Sequence, residues 1–501
     1  MQYVLTNKQM RDADEYTIKT LGTPSLLLME RAGMALADEV EKMVPSGKIV
    51  CVCGGGNNGG DGFVCARVLK GRGREVSVVF YAEKLSNDCR VNMEKWTALG
   101  GVIVTEIPND CALIVDCLYG TGFKGKLLNA DMGAVLCINA CKNNGVKILS
   151  ADIPSGVNGE NGRVDGVAVV ADVTLCIGEI KTGAILGDGI DFAGKVKRVD
   201  IGIALPAGEY ARLIEGEDVK AWLPKRKRNS HKGTYGKVAV VGGSVEYTGA
   251  PYLSSLAALR SGAGYVTLFT PSNLLPYYYL KSPELLLKSI SEGGRYTFNE
   301  ESMQILLDYN GIAYGMGMGI SEEVALGAEW LLSHYEGKLI LDADGLNSLS
   351  VYRKEVLAVL FKKAKCDVLL TPHCKEFSRI SRIEVGQVLD EGLALAKALS
   401  EKWGVRILLK NAATIITDGK RTALNVCGSS GQAKGGSGDV LAGVIASLCA
   451  VGLSTYEAGV IGAYLTGTAA ELAAQEWGEY SLTPSDVISY LGKAFLSISL
   501  L

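Results

Sequence analysis

The sequence predicts two α/β domains in one chain, an N-terminal Rossmann-like doubly wound sheet followed by a second, distinct α/β domain. Three observations lead there. The chain has 501 residues, too many for one ordinary core at roughly 100 to 200 residues per domain. It carries 62 glycines and 48% hydrophobic residues but only 7% aromatics, which suits a compact protein with many tight strand-to-helix turns. Short apolar strands alternate with helical patterns in each half, and the alternation lapses around residues 215–228.

Composition excludes several classes. Lysine plus arginine total 51 against 54 acidic residues, a net charge of −3, so nothing in the balance asks for nucleic acid or an anionic membrane. The 13 cysteines sit singly in apolar runs, with no C-x-x-C pair, and read as small buried hydrophobes of a reducing compartment. Three histidines, His231, His334 and His373, argue against a zinc site. No charged-then-apolar leader opens the chain, and its longest apolar run, residues 440–453, is too short to span a bilayer. A soluble cytoplasmic protein is expected, with a symmetric homo-oligomer as the base-rate assembly.

Thr6 and Gln9 form a capping box ahead of Met10, Ala13, Thr17 and Leu21 at helical spacing, and a second helix spans Ser25–Met43. Both are expected to precede the first strand. Strands are then predicted at 49–53, 76–81, 112–116, 147–152 and 173–177, forming a parallel sheet whose crevice lies at the strand C-termini. The first strand meets Gly54-Gly55-Gly56-Asn57-Asn58-Gly59-Gly60-Asp61-Gly62, read as a loop before a helix at 63–70. Such glycine density lets backbone approach a phosphate, although the spacing is not G-x-G-x-x-G. The third strand ends in Asp116, ahead of Gly120-Thr121-Gly122-Phe123-Lys124-Gly125-Lys126; the fourth ends in Asp152-Ile153-Pro154-Ser155-Gly156. Asn58, Asp116 and Ser155 thus offer hard oxygen donors at neighbouring strand ends, suited to an alkali or alkaline-earth cation. Each alone is equally a helix cap or turn former.

These runs, with Met29-Glu30-Arg31-Ala32-Gly33, resemble the NAD(P)H-hydrate epimerase domain over roughly residues 1–212. The resemblance implies a potassium ion at Asn58, Asp116 and Ser155. It also implies substrate contacts from Asn57, Asn58, Gly59, Gly60 and Asp61, from Gly120 through Lys126, and from Asp152. Lys124 or Lys126 would meet the dinucleotide phosphates. Inversion at the hydroxylated ring carbon needs proton transfer, for which Asp152 is the candidate.

Residues 215–229 read as a linker holding the basic run Lys225-Arg226-Lys227-Arg228, with domains at 1–214 and 230–501. Beyond Ser230-His231-Lys232-Gly233-Thr234-Tyr235-Gly236, strands are predicted at 237–241, 265–269, 312–314, 338–342, 367–371 and 405–410, and a helix over 253–261 with Pro251 in its first turn. Polar residues again gather at strand ends: Asp342-Ala343-Asp344-Gly345-Leu346-Asn347, Thr371-Pro372-His373 and Lys410-Asn411-Ala412-Ala413-Thr414. The most informative stretch is Gly435-Gly436-Ser437-Gly438-Asp439, a glycine turn running into an apolar helix. Bare N–H groups at a helix start hold anions. A carboxylate there repels them, so Asp439 either caps its helix or takes a proton from a hydroxyl attacking phosphorus.

Together these motifs resemble the NAD(P)H-hydrate dehydratase domain of the ribokinase-like superfamily over residues 222–500. The resemblance implies adenine-nucleotide contacts from Lys410, Asn411, Ala412, Ala413, Thr414, Gly435, Gly436 and Gly438. Ala263, Gly317, His373 and Asp439 would face the hydrated dinucleotide, with ADP or ATP as co-substrate, Mg2+ on its phosphates and Asp439 as base. Two departures from the family pattern, Cys374-Lys375-Glu376 after Thr-Pro-His and Met316 between Gly315 and Gly317, each replace a proline. They are expected to loosen those loops and alter the placement of His373. Three functions compete: a bifunctional repair enzyme acting on hydrated NADH and NADPH, a ribokinase-like vitamin or sugar kinase with a dinucleotide-sensing front half, and a front half reduced to a binding module.

Overall fold

The computed structural model describes residues 2–500 and divides into two compact units, Gln2–Ala211 and a second beginning at Arg212. In the N-terminal unit a short strand, β1 (Gln2–Leu5), precedes the first helix, which the periodicity does not anticipate. The main sheet is built from β2 (Lys48–Gly54), β3 (Val76–Tyr81), β4 (Val102–Val104), β5 (Cys111–Cys117), β6 (Lys147–Ala151), β7 (Val173–Ile177) and β9 (Lys195–Val199); β8 (Ile180–Lys181) pairs instead with β1. Its order is β4-β3-β2-β5-β6-β7-β9, parallel throughout. The order reverses between β2 and β5, so a crevice opens beyond the ends of those two strands, at Gly54 and Cys117. Near-continuous burial along β2, β5 and β7 matches a sheet covered on both faces.

In the second unit, β10 (Ala211–Leu213) pairs with β19 (Thr422–Asn425) at one edge. Between that edge and the far one lie β11 (Lys237–Gly242), β12 (Tyr265–Pro271), β13 (Leu286–Ser291), β14 (Gly311–Met316), β15 (Lys338–Leu341), β16 (Asp367–Leu370), β17 (Arg406–Leu409) and β18 (Thr414–Thr417), in the order β13-β12-β11-β14-β15-β16-β17-β18-β19-β10. The pairs β17–β18 and β18–β19 are antiparallel and the rest parallel. The stretch taken as a linker is partly ordered structure: residues Gly216–Trp222 form a helix whose Val219 is buried in this unit's core. Trp222 and Leu223 pack on the same core, but seven residues are too few for the helical period to announce itself in the sequence.

The helix Ser437–Ala450 is buried along its whole length from Val440 onward and crosses Gly249–Arg260 at close range. A Cβ on Gly443 would stand 2.0 Å from the Ser254 carbonyl oxygen. Gly443→Ala must therefore push two core helices apart. It is expected to cost about 2 kcal/mol and to lower the melting temperature by several degrees. An unchanged melting temperature by calorimetry would show that the helices yield freely.

Candidate active sites

At the crevice of the N-terminal unit, the glycine-rich run is not a loop. The helix Asn57–Gly71 begins at Asn57, capped by Gly56, so Asn57 through Asp61 form its first turn. Gly59 and Gly60 lie beneath the surface of the site: a Cβ would meet the Gly54 oxygen at 1.8 Å in one case and Met29 Sδ at 2.6 Å in the other. Gly59 serves close packing of this helix on β2 and Gly60 its packing on the helix Ser25–Met43, and neither lines the cavity described below.

Asp116, at the end of β5, is fully buried. Its Oδ1 accepts from Ser155 Oγ (2.6 Å) and the Leu118 amide (3.3 Å), and its Oδ2 from Ser150 Oγ (2.9 Å) and the Ser155 amide (2.9 Å). Burial pushes its carboxyl pKa up, while these hydrogen bonds from Ser155, Ser150 and Leu118 pull against the rise. Asn58 Nδ2 donates to the Tyr119 carbonyl (2.9 Å), and the Tyr119 amide donates to Ser155 Oγ (2.9 Å). Asn58 Oδ1 is buried and has no hydrogen-bond partner among the described residues. The three hard donors expected from the strand ends are therefore linked in one network, Asn58 and Ser155 through the Tyr119 peptide and Asp116 through Ser155, with the buried Asn58 Oδ1 the oxygen left without a hydrogen bond.

Beside them lies a cavity of about 1250 Å³, lined by Gly54 to Asn58, Asp61, Gly120 to Phe123 and Asp152. Lys124, Gly125 and Lys126 are exposed and do not line it. The cations on its wall are Arg11, Lys84 and Lys181; Lys124 and Lys126, expected to meet the phosphates, are not among them. Asp152 holds a left-handed backbone (φ 68°), accepts from the Ile177 amide at 3.1 Å and pairs with Lys181. Lys181 is buried and also donates to the Ile177 carbonyl. Asp61 and Asp14 complete the group. Burial raises the Asp61 pKa far above the usual carboxylate range, reinforced by Asp152, and burial raises that of Asp14 to about 6. Sequence reasoning missed Asp14, on the helix Asn7–Glu15, and Lys181, whose one signal is a lone cation in an otherwise apolar stretch.

In the second unit, Asp342, Thr371 and Lys410 each directly follow a strand and meet at one end of the sheet. Lys410 Nζ donates to Asp342 Oδ1 at 2.8 Å. A Cβ on Gly438 would stand 3.1 Å from that nitrogen, which sets the glycine turn against the pair. Burial works against the Lys410 charge, but Asp342, Glu376 and Asp439 outweigh it and raise its pKa. Asp439 is half-buried in the first turn of Ser437–Ala450; the cap is Gly436, and the helix start has no side-chain cap among the described residues. The capping alternative is thereby removed. Burial first, then the Asp342 charge, raise the Asp439 pKa to about 7, with Lys410 opposing.

His373 caps Cys374–Ser381: its Nδ1 accepts from the Lys375 and Glu376 amides at 3.1 and 3.4 Å, and Glu376 Oε2 accepts from the His373 amide at 2.9 Å. Burial, then Lys410, lower its pKa, so the imidazole is neutral at pH 7. This capping box fixes the turn that proline loss was expected to loosen. Met316 is likewise fully buried, and Gly317 (φ 66°) packs against Tyr247. Asn411, Ala412 and Ala413 form the β17–β18 turn, Asn411 and Ala412 exposed, with Thr414 starting β18. Ala263 does not join the others. It precedes β12, at the opposite strand ends from Lys410 and Asp439, and its amide donates to Ser447 Oγ near the far end of the Ser437–Ala450 helix (2.9 Å). Its small-residue run carries no sign of which end of the strand it occupies.

Comparison with known proteins assigns both units. Residues 238–493 match the family described as NAD(P)H-hydrate dehydratase, and residues 25–183 match the YjeF-related protein N-terminus. The bifunctional NAD(P)H-hydrate repair enzyme Nnr of Moorella thermoacetica is 32% identical over 98% of this chain and 96% of its own. Among solved structures, the ADP/ATP-dependent NAD(P)H-hydrate dehydratase of Bacillus subtilis, co-crystallised with ATP/Mg2+, is 28% identical with a TM-score of 0.50, covering 57% of this chain and 99% of its own. A ribokinase-like superfamily protein of Enterococcus faecalis shares the fold at a TM-score of 0.51 and 24% identity, covering 57% of this chain and 96% of its own.

Asp116→Ala would strip acceptors from two buried hydroxyls and two amides at once. Stranded buried donors cost about 1 to 3 kcal/mol each, partly relieved by relaxation. A fall of roughly 3 kcal/mol in unfolding free energy is expected from urea titration of the full chain. An unshifted midpoint would mean that the donors find other partners.

Proposed function

The chain belongs to the bifunctional NAD(P)H-hydrate repair enzymes, and from that membership we propose how its two sites divide the work. The N-terminal unit epimerises hydrated NADH and NADPH, and the C-terminal unit dehydrates the S form back to the reduced dinucleotide at the expense of ADP or ATP. The substrates are small molecules, and the setting that fits them is the cytoplasm, with the chain as a symmetric homo-oligomer. No helix among the described residues is long and apolar enough to cross a membrane.

One observation carries the dehydratase mechanism: a carboxyl with a pKa of about 7 stands in the first turn of a helix that has no side-chain cap among the described residues, behind a glycine turn and beside the partly exposed Lys410. In that position Asp439 takes the proton from the ring hydroxyl as its oxygen attacks the terminal phosphorus. The N–H groups of Gly435, Gly436 and Gly438 and the Lys410 ammonium face the phosphates. The turn Lys410 to Thr414 borders the nucleotide, and Gly317 and neutral His373 border the dinucleotide. Phosphate is a far better leaving group than hydroxide; its departure with a proton from the adjacent ring carbon restores the double bond. Mg2+ would be carried mainly on the nucleotide phosphates with one or two carboxylates. The ion would supply charge neutralisation there.

In the epimerase site, Asn58 with its unpartnered Oδ1, Asp116 and Ser155 would hold potassium. The ion would offset the buried Asp116 charge and fix the Tyr119 turn beside the substrate. Asp152, paired with Lys181 on the cavity wall, moves the proton at the hydroxylated carbon.

Asp439→Asn is expected to lower dehydration by about 10²- to 10⁴-fold while nucleotide binding persists, followed as recovery of reduced-nicotinamide absorbance from the hydrated S epimer. A base must be deprotonated to act, so wild-type kcat/KM should rise with pH through about 7. A profile flat from pH 5 to 8, or a stable phosphoester as product, would overturn the reading. Exchanging potassium for sodium should slow epimerisation and leave dehydration of the S form unaltered; equal rates in both salts would remove potassium from the site.

A further inference from the structure

We propose that Asp14 is the second acid–base carboxyl of the epimerase site, acting on the substrate from a different wall of the cavity than Asp152; this rests on the epimerase reading of the N-terminal unit. Asp152 comes from the end of β6, and Asp14 from the last turn of the helix Asn7–Glu15, yet both line the same cavity and both feel Lys181. That helix is held at its start by the Thr6–Gln9 capping box and by the Asn7 amide donating to Glu160 Oε2 at 2.9 Å. Just beyond Asp14 the chain widens into a π-turn, Tyr16–Thr20, a feature that recurs at functional sites.

The chemistry requires two groups. Inversion at a carbon bearing hydroxyl and ring nitrogen proceeds by loss of the hydroxyl from one face and addition of water to the other. A single carboxyl on one wall cannot serve both faces. On one face the Asp14 carboxylic acid gives its proton to the hydroxyl, the C–O bond breaks, and water departs as the nitrogen lone pair takes up the positive charge. On the other face a water adds, the new C–O bond forms, and its proton passes to the Asp152 carboxylate. Asp14 has then lost a proton and Asp152 has gained one, and the reverse epimerisation starts from that state. No oxidant or further reactant is consumed.

The charges facing Asp14 suit this task. They are Lys181 and Asp152 from the sheet end and Asp61 from the helix Asn57–Gly71, with Arg11 of its own helix elsewhere on the cavity wall. Burial raises the Asp14 pKa to about 6, with Lys181 opposing and Asp152 adding, so a useful fraction is protonated near neutrality. Lys181 is committed to Asp152 and the Ile177 carbonyl. Asp61 is only 9% exposed while Asp14 is half-buried, so Asp14 is the carboxyl that can exchange protons with the cavity and solvent.

The test follows interconversion of the separated R and S epimers of hydrated NADH by the full chain without nucleotide, resolved by chromatography. An acid must be protonated, so the wild-type rate should fall as pH rises above about 6. Asp14→Asn should lower the rate about 100-fold and abolish that limb, Asp14→Glu should recover part of both, and dehydration of the S form with ADP or ATP should be unchanged. If Asp152→Asn stops epimerisation but Asp14→Asn keeps the wild-type rate and pH profile, the proposal falls and the epimerase reading stands. If Asp14→Asn also loses binding of the hydrated dinucleotide by equilibrium dialysis, Asp14 is structural and the proposal falls. If the wild-type chain fails to interconvert the epimers, both fall.

Discussion

A lysine shared among more carboxylates than it can neutralise governs each of the two sites, fully buried at Lys181 and partly so at Lys410. Lys410 bonds Asp342 at 2.8 Å with Glu376 and Asp439 close enough to act on it; Lys181 pairs with Asp152 while Asp61 and Asp14 share its field. Taking one cation out of water is already costly, and it is tolerated because a partner carboxylate goes with it. Every further carboxyl in the group then faces burial and a like charge together. Both effects favour the protonated form, and the result is a pKa of about 7 at Asp439 and about 6 at Asp14. Burial together with a charge imbalance fixed in the fold thus sets two carboxyls to titrate near neutral pH, as the proposed acid and base roles require.

That imbalance depends on where parallel sheets put their polar residues. Strand interiors here are apolar on both faces, so charged groups are expelled to the strand ends, and the topological switch opens a crevice where two ends diverge. In the N-terminal unit, Asp116 lies at the end of β5 and Asp152 follows the adjacent β6. In the second unit, Asp342, His373 and Lys410 follow β15, β16 and β17, and the His373–Lys410 bridge ties the last two strand ends together. Each side chain is placed by rigid backbone, so the charges cannot separate to relieve one another.

The same geometry explains how much was legible in the sequence. Asn58, Asp116 and Ser155, or Lys410 and Asp439, stand out because each follows an apolar run at a glycine- or proline-marked turn, which is local information. Asp14 and Lys181 escape because their meaning lies in one cavity shared by residues more than 160 positions apart, one on an amphipathic helix and one inside a buried edge. Lys124 and Lys126 mislead for the converse reason: they adjoin a site loop in sequence but point to solvent. Ala263 misleads because a small-residue run looks alike at either end of a strand, and only pairing direction tells them apart. The helix start at Asn57 was hidden by its glycines, whose weak propensity is outweighed by packing that admits no Cβ.

The turn before Asp439 shows why the cap had to be a glycine. An Asp, Ser or Thr at the N-cap would satisfy the first amides of Ser437–Ala450 with its own side chain, leaving fewer for a phosphate. Gly436 sits at φ 101° with Leu253 Cδ1 and Pro484 Cγ within 3.0 Å of where a Cβ would lie, so no side chain can enter. Glycine nearly matches a polar cap in helix stability, so the amides stay available at little cost. The carboxylate that would ordinarily bond those amides is instead displaced one turn inward, at Asp439, where burial and Asp342 weaken its hold on a negative charge. The proposed anion site and the proposed base are thereby compatible in one helix turn, because a carboxyl titrating at about 7 is neutral for part of the time at neutral pH.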